Sequence, residues 1–256
     1  MGEIHTRNTE ATVAKVQFGP LLSLVGGVAG VAVANAISPL SPLGWAAGLA
    51  YLVASNVLLG VGLHRRGTPR FGWANGTTAT RSALVGVITA IVATSFTAPI
   101  SVPLLIALAI PALALDAVDG WIARRTGTAS ELGARFDMEV DAYLLLVLSA
   151  YVAQTLGWWV LAIGLLRYAF VAAGWVLPWL RRDLPPRYWR KVVTAVAGIA
   201  LVVAASGIAP IWVDVAVVIV ALALLVESFG RDVVWLAVLH RSHPPDAVTV
   251  PQPAEP

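Results

Sequence analysis

The stretch Asp116-Ala-Val-Asp119-Gly120-Trp-Ile-Ala123-Arg124, followed after a short gap by Gly133-Ala-Arg-Phe-Asp137-Met-Glu-Val-Asp141, decides how the rest of the chain is read. It carries two Asp pairs, yet it lies between two apolar runs, about 101–122 and about 140–157. A membrane-spanning helix needs roughly 20 apolar residues, and each run approaches that length. One acid pair closes the first run and the other opens the second. If the runs are antiparallel neighbours, all four carboxylates meet at one depth.

Working outward, six more apolar segments appear: 18–37, 40–63, about 81–97, 158–180, 192–208 and 211–229. The whole chain of 256 residues is 58% apolar and only 12% charged. Soluble domains average about 25% charged, so this balance excludes a soluble globular domain and a disordered regulator. The expected fold is all-α, a polytopic integral membrane bundle of about eight spans. The absence of Cys excludes disulfides, thiolate catalysis, iron–sulfur clusters and Cys-based zinc sites.

The seventeen Lys and Arg residues follow the spans. Arg7 and Lys15 precede the first, and Arg65, Arg66, Arg70 and Arg81 fall between the second and third. Arg124, Arg125 and Arg135 lie between the fourth and fifth, and Arg181, Arg182, Arg187, Arg190 and Lys191 between the sixth and seventh. Arg231 and Arg241 follow the eighth. The other connections, near Pro39, Pro99, Gly157 and Pro210, carry none. By the positive-inside rule, both termini and every basic connection face the cytoplasm, and the expected location is the plasma (inner) membrane. Net charge is thereby an orientation signal, and nucleic acid is not an expected partner. Arg167 alone sits inside a span, where an unpaired charge is costly, so it is expected to face a polar cavity. A signal peptide ending near Ala34-Asn35-Ala36 is an alternative reading of the first segment that leaves the downstream topology unchanged.

Helical geometry sharpens the acidic stretch. At about 100° per residue, Asp116, Asp119, Gly120, Ala123 and Arg124 share an arc of about 140°, while Val118, Trp121 and Ile122 point elsewhere. Asp137 and Asp141, four residues apart, also share a face. Asp116 lies about 12 Å deeper than Arg124, and with the fifth helix expected to start near Phe136, Asp141 lies roughly 6–8 Å in. Four clustered carboxylates repel one another unless cations neutralise them, and oxygen-only ligands select hard ions, Mg²⁺ or Mn²⁺ first. Four such ligands suit two ions, an arrangement used in phosphoryl transfer. Gly120 and Gly133 leave room for a phosphate to approach, and Arg124 offers it a cationic donor.

The pattern D-x-x-D-G-x-x-A-R-x8-G-x3-D-x3-D over 116–141 resembles the signature of the CDP-alcohol phosphotransferase (CDP-alcohol phosphatidyltransferase) family, with every fixed position present. The resemblance implies a six-helix core over 70–239, with a leader and two additional helices over 1–69; the stretch 240–256, with Pro244, Pro245, Pro251, Pro253 and Pro256, reads by composition as a disordered tail. It implies a homodimeric enzyme that transfers a substituted phosphate from a CDP-linked lipid, such as CDP-diacylglycerol, to an alcohol. CMP is released, with two Mg²⁺ or Mn²⁺ ions as cofactors. Carried over by position, Asp116, Asp119, Asp137 and Asp141 hold the metals and Asp141 is also the general base. Gly120, Arg124 and Ser130 contact the CDP donor. Asn75-Gly-Thr-Thr78-Ala-Thr-Arg81 is similar to the N-x-x-T-x-x-R run that opens the family's first core helix, placing Asn75 and Thr78 at the nucleotide site. The same run also reads as a helix cap followed by a topogenic Arg.

For the acceptor, Arg167 resembles the intramembrane Arg of the family's phosphatidylglycerophosphate and cardiolipin synthases. Lys191 to Thr194 resembles their K-x-K-T run, with Val193 in place of the second Lys. Arg167, Arg187 and Lys191 are the candidate acceptor contacts, and a polyol phosphate near glycerol phosphate is the implied acceptor class. Two other readings stay open at this point. An intramembrane prenyltransferase also presents Asp-rich helices to a metal diphosphate, although its two motifs lie far apart in sequence. A divalent-cation carrier would use the acids as an ion path, but only Asp214 lies near the opposite face.

Overall fold

The computed structural model describes residues 23–66, 73–126, 131–182, 184 and 187–242, with side chains described outside 62–79 and 116–135. Among the described residues there are eight α-helices and no strand. They are α1 (Ser23–Ile37), α2 (Pro42–Arg66), α3 (Trp73–Ser95), α4 (Val102–Thr126), α5 (Glu131–Leu156), α6 (Leu161–Val176), α7 (Tyr188–Ser206) and α8 (Ile211–Ser242). Four segments are long and apolar enough to cross a membrane: Pro42–Val61, Trp158–Val176, Tyr188–Ser206 and Ile211–Ser242. Ser23–Ile37, Thr80–Ser95 and Val102–Leu115 are shorter apolar helices. The protein is a polytopic helical membrane protein, as its composition leads one to expect. Helices are the natural element here, because lipid offers no partner for an unpaired backbone N–H or C=O.

The centre of the bundle is α3, packed by α2, α4 and α5. Its segment from Arg81 to Val92 is almost wholly buried, and α5 in turn meets α6 and α7. Small residues bring the axes close. A Cβ at Gly44 or Gly48 of α2 would strike Ala90 or Thr94 of α3, and one at Gly164 of α6 would strike the backbone of Leu146 on α5. Such close approach is how helices associate where no hydrophobic force separates lipid from protein. The connections at one end are tight. Gly157, at φ 102°, turns α5 into a short 3₁₀ segment, and Gly207, at φ 64°, ends α7 before α8. Both values lie in the left-handed region that glycine enters without a Cβ penalty.

Several helix bounds differ from those expected. The third helix starts at Trp73 and the fifth at Glu131, so Arg81 is inside a helix and buried, not in a loop. Hydropathy trims helices at charges, whereas a charge with a carboxylate partner is carried inward. The 158–180 segment is not one continuous helix: 3₁₀ turns at Trp158–Val160 and Pro178–Arg181 flank α6. Pro178 lacks the N–H that would extend α6. The last helix runs past Phe229 to Ser242, entering the stretch expected as a tail from residue 240. Its buried stripe, Val218, Ala221, Leu225, Ser228, Asp232 and Leu236, keeps one 3-4 spacing across the expected end.

Candidate active site

The site is built where α3 meets the first half of α5. Asp137 and Asp141 lie one turn apart on α5, with side chains 26% and 22% exposed. Between them and α3 stands the guanidinium of Arg81, fully buried at 0% exposure. Its Nη2 pairs with Asp137 Oδ1, lies 3.1 Å from Asp141 Oδ1, and donates to the Asp137 carbonyl at 3.2 Å. A buried arginine of this kind is sustained only by compensating oxygens, and these two acids provide them. The arrangement pulls both carboxylates onto one face. The helix begins at Glu131, before the expected Phe136, so Asp141 lies ten residues along α5, about 15 Å from its start.

Arg81 belongs to the N-x-x-T-x-x-R run, but its described partners are the two α5 acids. Read from sequence, it has only the role of a topogenic base closing a run whose Asn75 and Thr78 are the nucleotide contacts, which does not foresee an internal counter-ion. The signal was the position: an Arg six residues after Asn75 falls well inside any helix that begins at Trp73.

The other half of the carboxylate set rides on α4. Asp116, Asp119, Gly120 and Arg124 all fall within that helix, toward its C-terminal end, and Asn75 and Thr78 fall within the first turns of α3. Their side chains lie outside the described ones, and Ser130 lies outside the described residues. No group of three or more metal-ligating side chains is formed among the described residues alone. Asp137 and Asp141 nevertheless supply the right chemistry for a hard divalent ion: carboxylate oxygens, partly open, with no thiolate anywhere in the chain.

The candidate acceptor residues go to different places. Arg167 pairs through Nη2 with Glu139 of α5, which sequence reasoning did not single out. Glu139 lies about 160–200° around α5 from Asp137 and Asp141, so this pair stands behind the acid face. It supplies the compensation a mid-span arginine requires. Arg187, at the start of α7, lies 3.9 Å from Asp232 Oδ1, and Arg190 lies 3.6 Å from Oδ2 of the same carboxylate. Asp232 is buried on α8, a second unforeseen acid. Lys191 is exposed beside them. Arg182 donates to the Leu239 carbonyl at 3.5 Å, and Arg181 to the Gly174 carbonyl at 2.7 Å.

These contacts define the class first: a helical membrane protein with a carboxylate site organised around a buried arginine at one end of its bundle. The comparison with known families then narrows it. The model of the CDP-alcohol phosphatidyltransferase family matches residues 71–229, more than half of the chain, and the protein belongs to that family. It is a family of enzymes that transfer a phosphatidyl group from a CDP-linked donor. No curated protein and no solved structure matches the chain. The matched segment begins just before α3, leaving α1 and α2 outside it.

Proposed function

We propose that this protein transfers a substituted phosphate, most naturally a phosphatidyl group, from a CDP-linked lipid such as CDP-diacylglycerol to an alcohol, releasing CMP in phospholipid biosynthesis. One observation carries the reading: the last two acids of the family signature, Asp137 and Asp141, share one face of α5 and one buried cation, Arg81. In this reading Asp116, Asp119, Asp137 and Asp141 hold two Mg²⁺ or Mn²⁺ ions, which, when bound, neutralise the pyrophosphate and the departing CMP. Asp141 takes the proton of the acceptor hydroxyl. The freed oxygen forms the new P–O bond to the transferred phosphate, and the P–O bond linking that phosphate to CMP breaks. Arg81 keeps Asp137 and Asp141 in register for this work.

Gly120, Arg124, Asn75, Thr78 and Ser130 are assigned to the donor by their places in the signature. Arg187, beside the Asp232 carboxylate, and the exposed Lys191 suit the phosphate of a polyol-phosphate acceptor. Arg167 reaches such an acceptor only if its pair with Glu139 opens. The enzyme is read as a homodimer in the plasma membrane, its carboxylate end facing the cytoplasm, on the strength of the basic connections at that end. Arg182→Cys, in this cysteine-free chain, tests the orientation: labelling by an impermeant reagent from outside the cell contradicts it.

The decisive assay is CMP release by the purified protein from CDP-diacylglycerol, with Mn²⁺ or Mg²⁺ and a panel of acceptors. The cation-carrier reading predicts metal flux into liposomes with no CMP. The prenyltransferase reading predicts diphosphate release from a prenyl diphosphate. The buried Asp214 at the start of α8 joins no group of three or more metal-ligating side chains among the described residues, which does not favour an ion path.

A further inference from the structure

Helices α1 and α2 lie outside the family segment, yet α2 reaches the site. Tyr51 of α2 stacks on Tyr143 of α5, with ring centroids 4.5 Å apart and planes within 16°. Its hydroxyl lies 3.4 Å from Ser82 Oγ on α3. Tyr143 is two residues beyond Asp141, and Ser82 follows Arg81 directly. One ring from an additional helix thus touches the neighbours of both halves of the Arg81–Asp137–Asp141 arrangement.

The ring has little freedom to slide. Next to it in sequence, Leu52 is fully buried against Gly86 of α3, one turn from Ser82. One turn before it, Gly48 meets Ala90, and at the far end the Ser41 amide donates to Thr94 Oγ1 at 3.2 Å. These contacts fix the register of α2 on α3 along its length. A phenylalanine would fill the same space, whereas a buried hydroxyl is a cost unless it finds a partner. Here the partner sits beside the buried arginine.

We propose that α2 is a working wall of the reaction site and that Tyr51 is a positioning residue, acting through Ser82 and Tyr143 to hold Arg81 and the α5 carboxylates in their metal-binding geometry. The inference rests on the reading of Asp137 and Asp141 as metal ligands. Supports of metal ligands change metal affinity or activity by about 10- to 100-fold when removed.

The test uses the full chain, purified in detergent, and reads Mn²⁺ binding from the loss of the free-ion EPR signal, which needs no substrate. Tyr51→Leu is expected to weaken Mn²⁺ binding and to lower kcat for CMP release by about 10-fold each, with donor KM within about two-fold. Tyr51→Phe, which keeps the stack, is expected to lose about two- to three-fold in Mn²⁺ affinity. Val53→Leu, on the exposed side of α2, should match wild type. Wild-type Mn²⁺ affinity and kcat in folded Tyr51→Leu overturn the proposal. If Tyr51→Leu does not fold, Tyr51→Phe decides, with lowered affinity in support and wild-type affinity against. Mn²⁺ binding lost in Asp137→Asn but untouched in Tyr51→Leu sinks this inference alone. Mn²⁺ binding without CMP release from any CDP-linked donor sinks the proposed reaction alone, and no Mn²⁺ binding by wild type overturns both.

Discussion

The two ends of the bundle are held in different ways. At one end the connections are closed by neutral contacts: Ser41 to Thr94, Gln154 Nε2 to Ser95 Oγ at 2.8 Å, Phe96 stacked with Trp158, and Asn35 Oδ1 accepting from the Leu40 amide and Trp45 Nε1. At the other, helices are tied by charges: Arg81 to Asp137 and Asp141, Arg167 to Glu139, and Arg187 and Arg190 to Asp232. Neutral hydrogen bonds contribute about 1 kcal/mol each and ask little of their surroundings. Buried ion pairs are dear to assemble and are weak evidence for stability. An apolar bundle that buries the Arg81 and Asp232 charges at one end is therefore spending stability on a site there, and the neutral end shows how the same helices are joined where no chemistry is needed.

The largest effect should come from the charged end. Asp141→Asn keeps shape and removes the base, and is expected to lower kcat for CMP release by about 10³-fold, with a lowered melting temperature as well because one of the two carboxylates compensating the buried Arg81 loses its charge. Activity within ten-fold of wild type would mean that Asp141 is not the base.

Next comes Arg81→Met, which leaves Asp137 and Asp141 facing each other without their cation. We expect a loss of about 3–5 kcal/mol in stability, the usual cost of breaking a buried pair, together with about 100-fold in kcat. Added Mn²⁺ should then raise the melting temperature of Arg81→Met less than that of wild type, because the carboxylates have lost the residue that holds them in metal-binding geometry. Equal shifts in the two proteins would show that Arg81 and the metal do not share the same carboxylates.

Asp232→Asn tests the second charged cluster. Freed from its carboxylate, the Arg187 and Arg190 pair loses its fixed position, and acceptor KM is expected to rise about ten-fold while donor KM holds. A rise in donor KM instead would move this cluster to the nucleotide side.

Smallest is Thr94→Val at the neutral end. Its hydroxyl accepts from the Ser41 amide and donates to the Ala90 carbonyl, so a cost of about 1 kcal/mol in stability is expected with kcat within two-fold. A larger fall in kcat than in stability would break the division between the ends.

Much of this was legible beforehand, for physical reasons. Apolar run length shows where helices are, and the four-residue spacing of Asp137 and Asp141 requires a shared helical face. What stayed hidden were the partners of buried charges. Arg81 was set outside its helix because hydropathy treats every arginine as a boundary, although an arginine with two carboxylates is a core residue. Glu139 was passed over because it points away from the acid face, and Asp232 because the eighth helix was ended at Phe229, while its buried stripe continues to Leu236. Tyr51 carried no signal at all, since stacking on Tyr143 joins residues about ninety positions apart.

The most direct test is CMP release by the purified wild-type protein supplied with CDP-diacylglycerol, Mn²⁺ and a panel of polyol-phosphate acceptors, followed by mass spectrometry of the lipid product. CMP and a new phospholipid are expected in equal amounts, both abolished by chelation of the metal. No CMP with any acceptor, or CMP formed equally by Asp141→Asn, would contradict the proposed reaction.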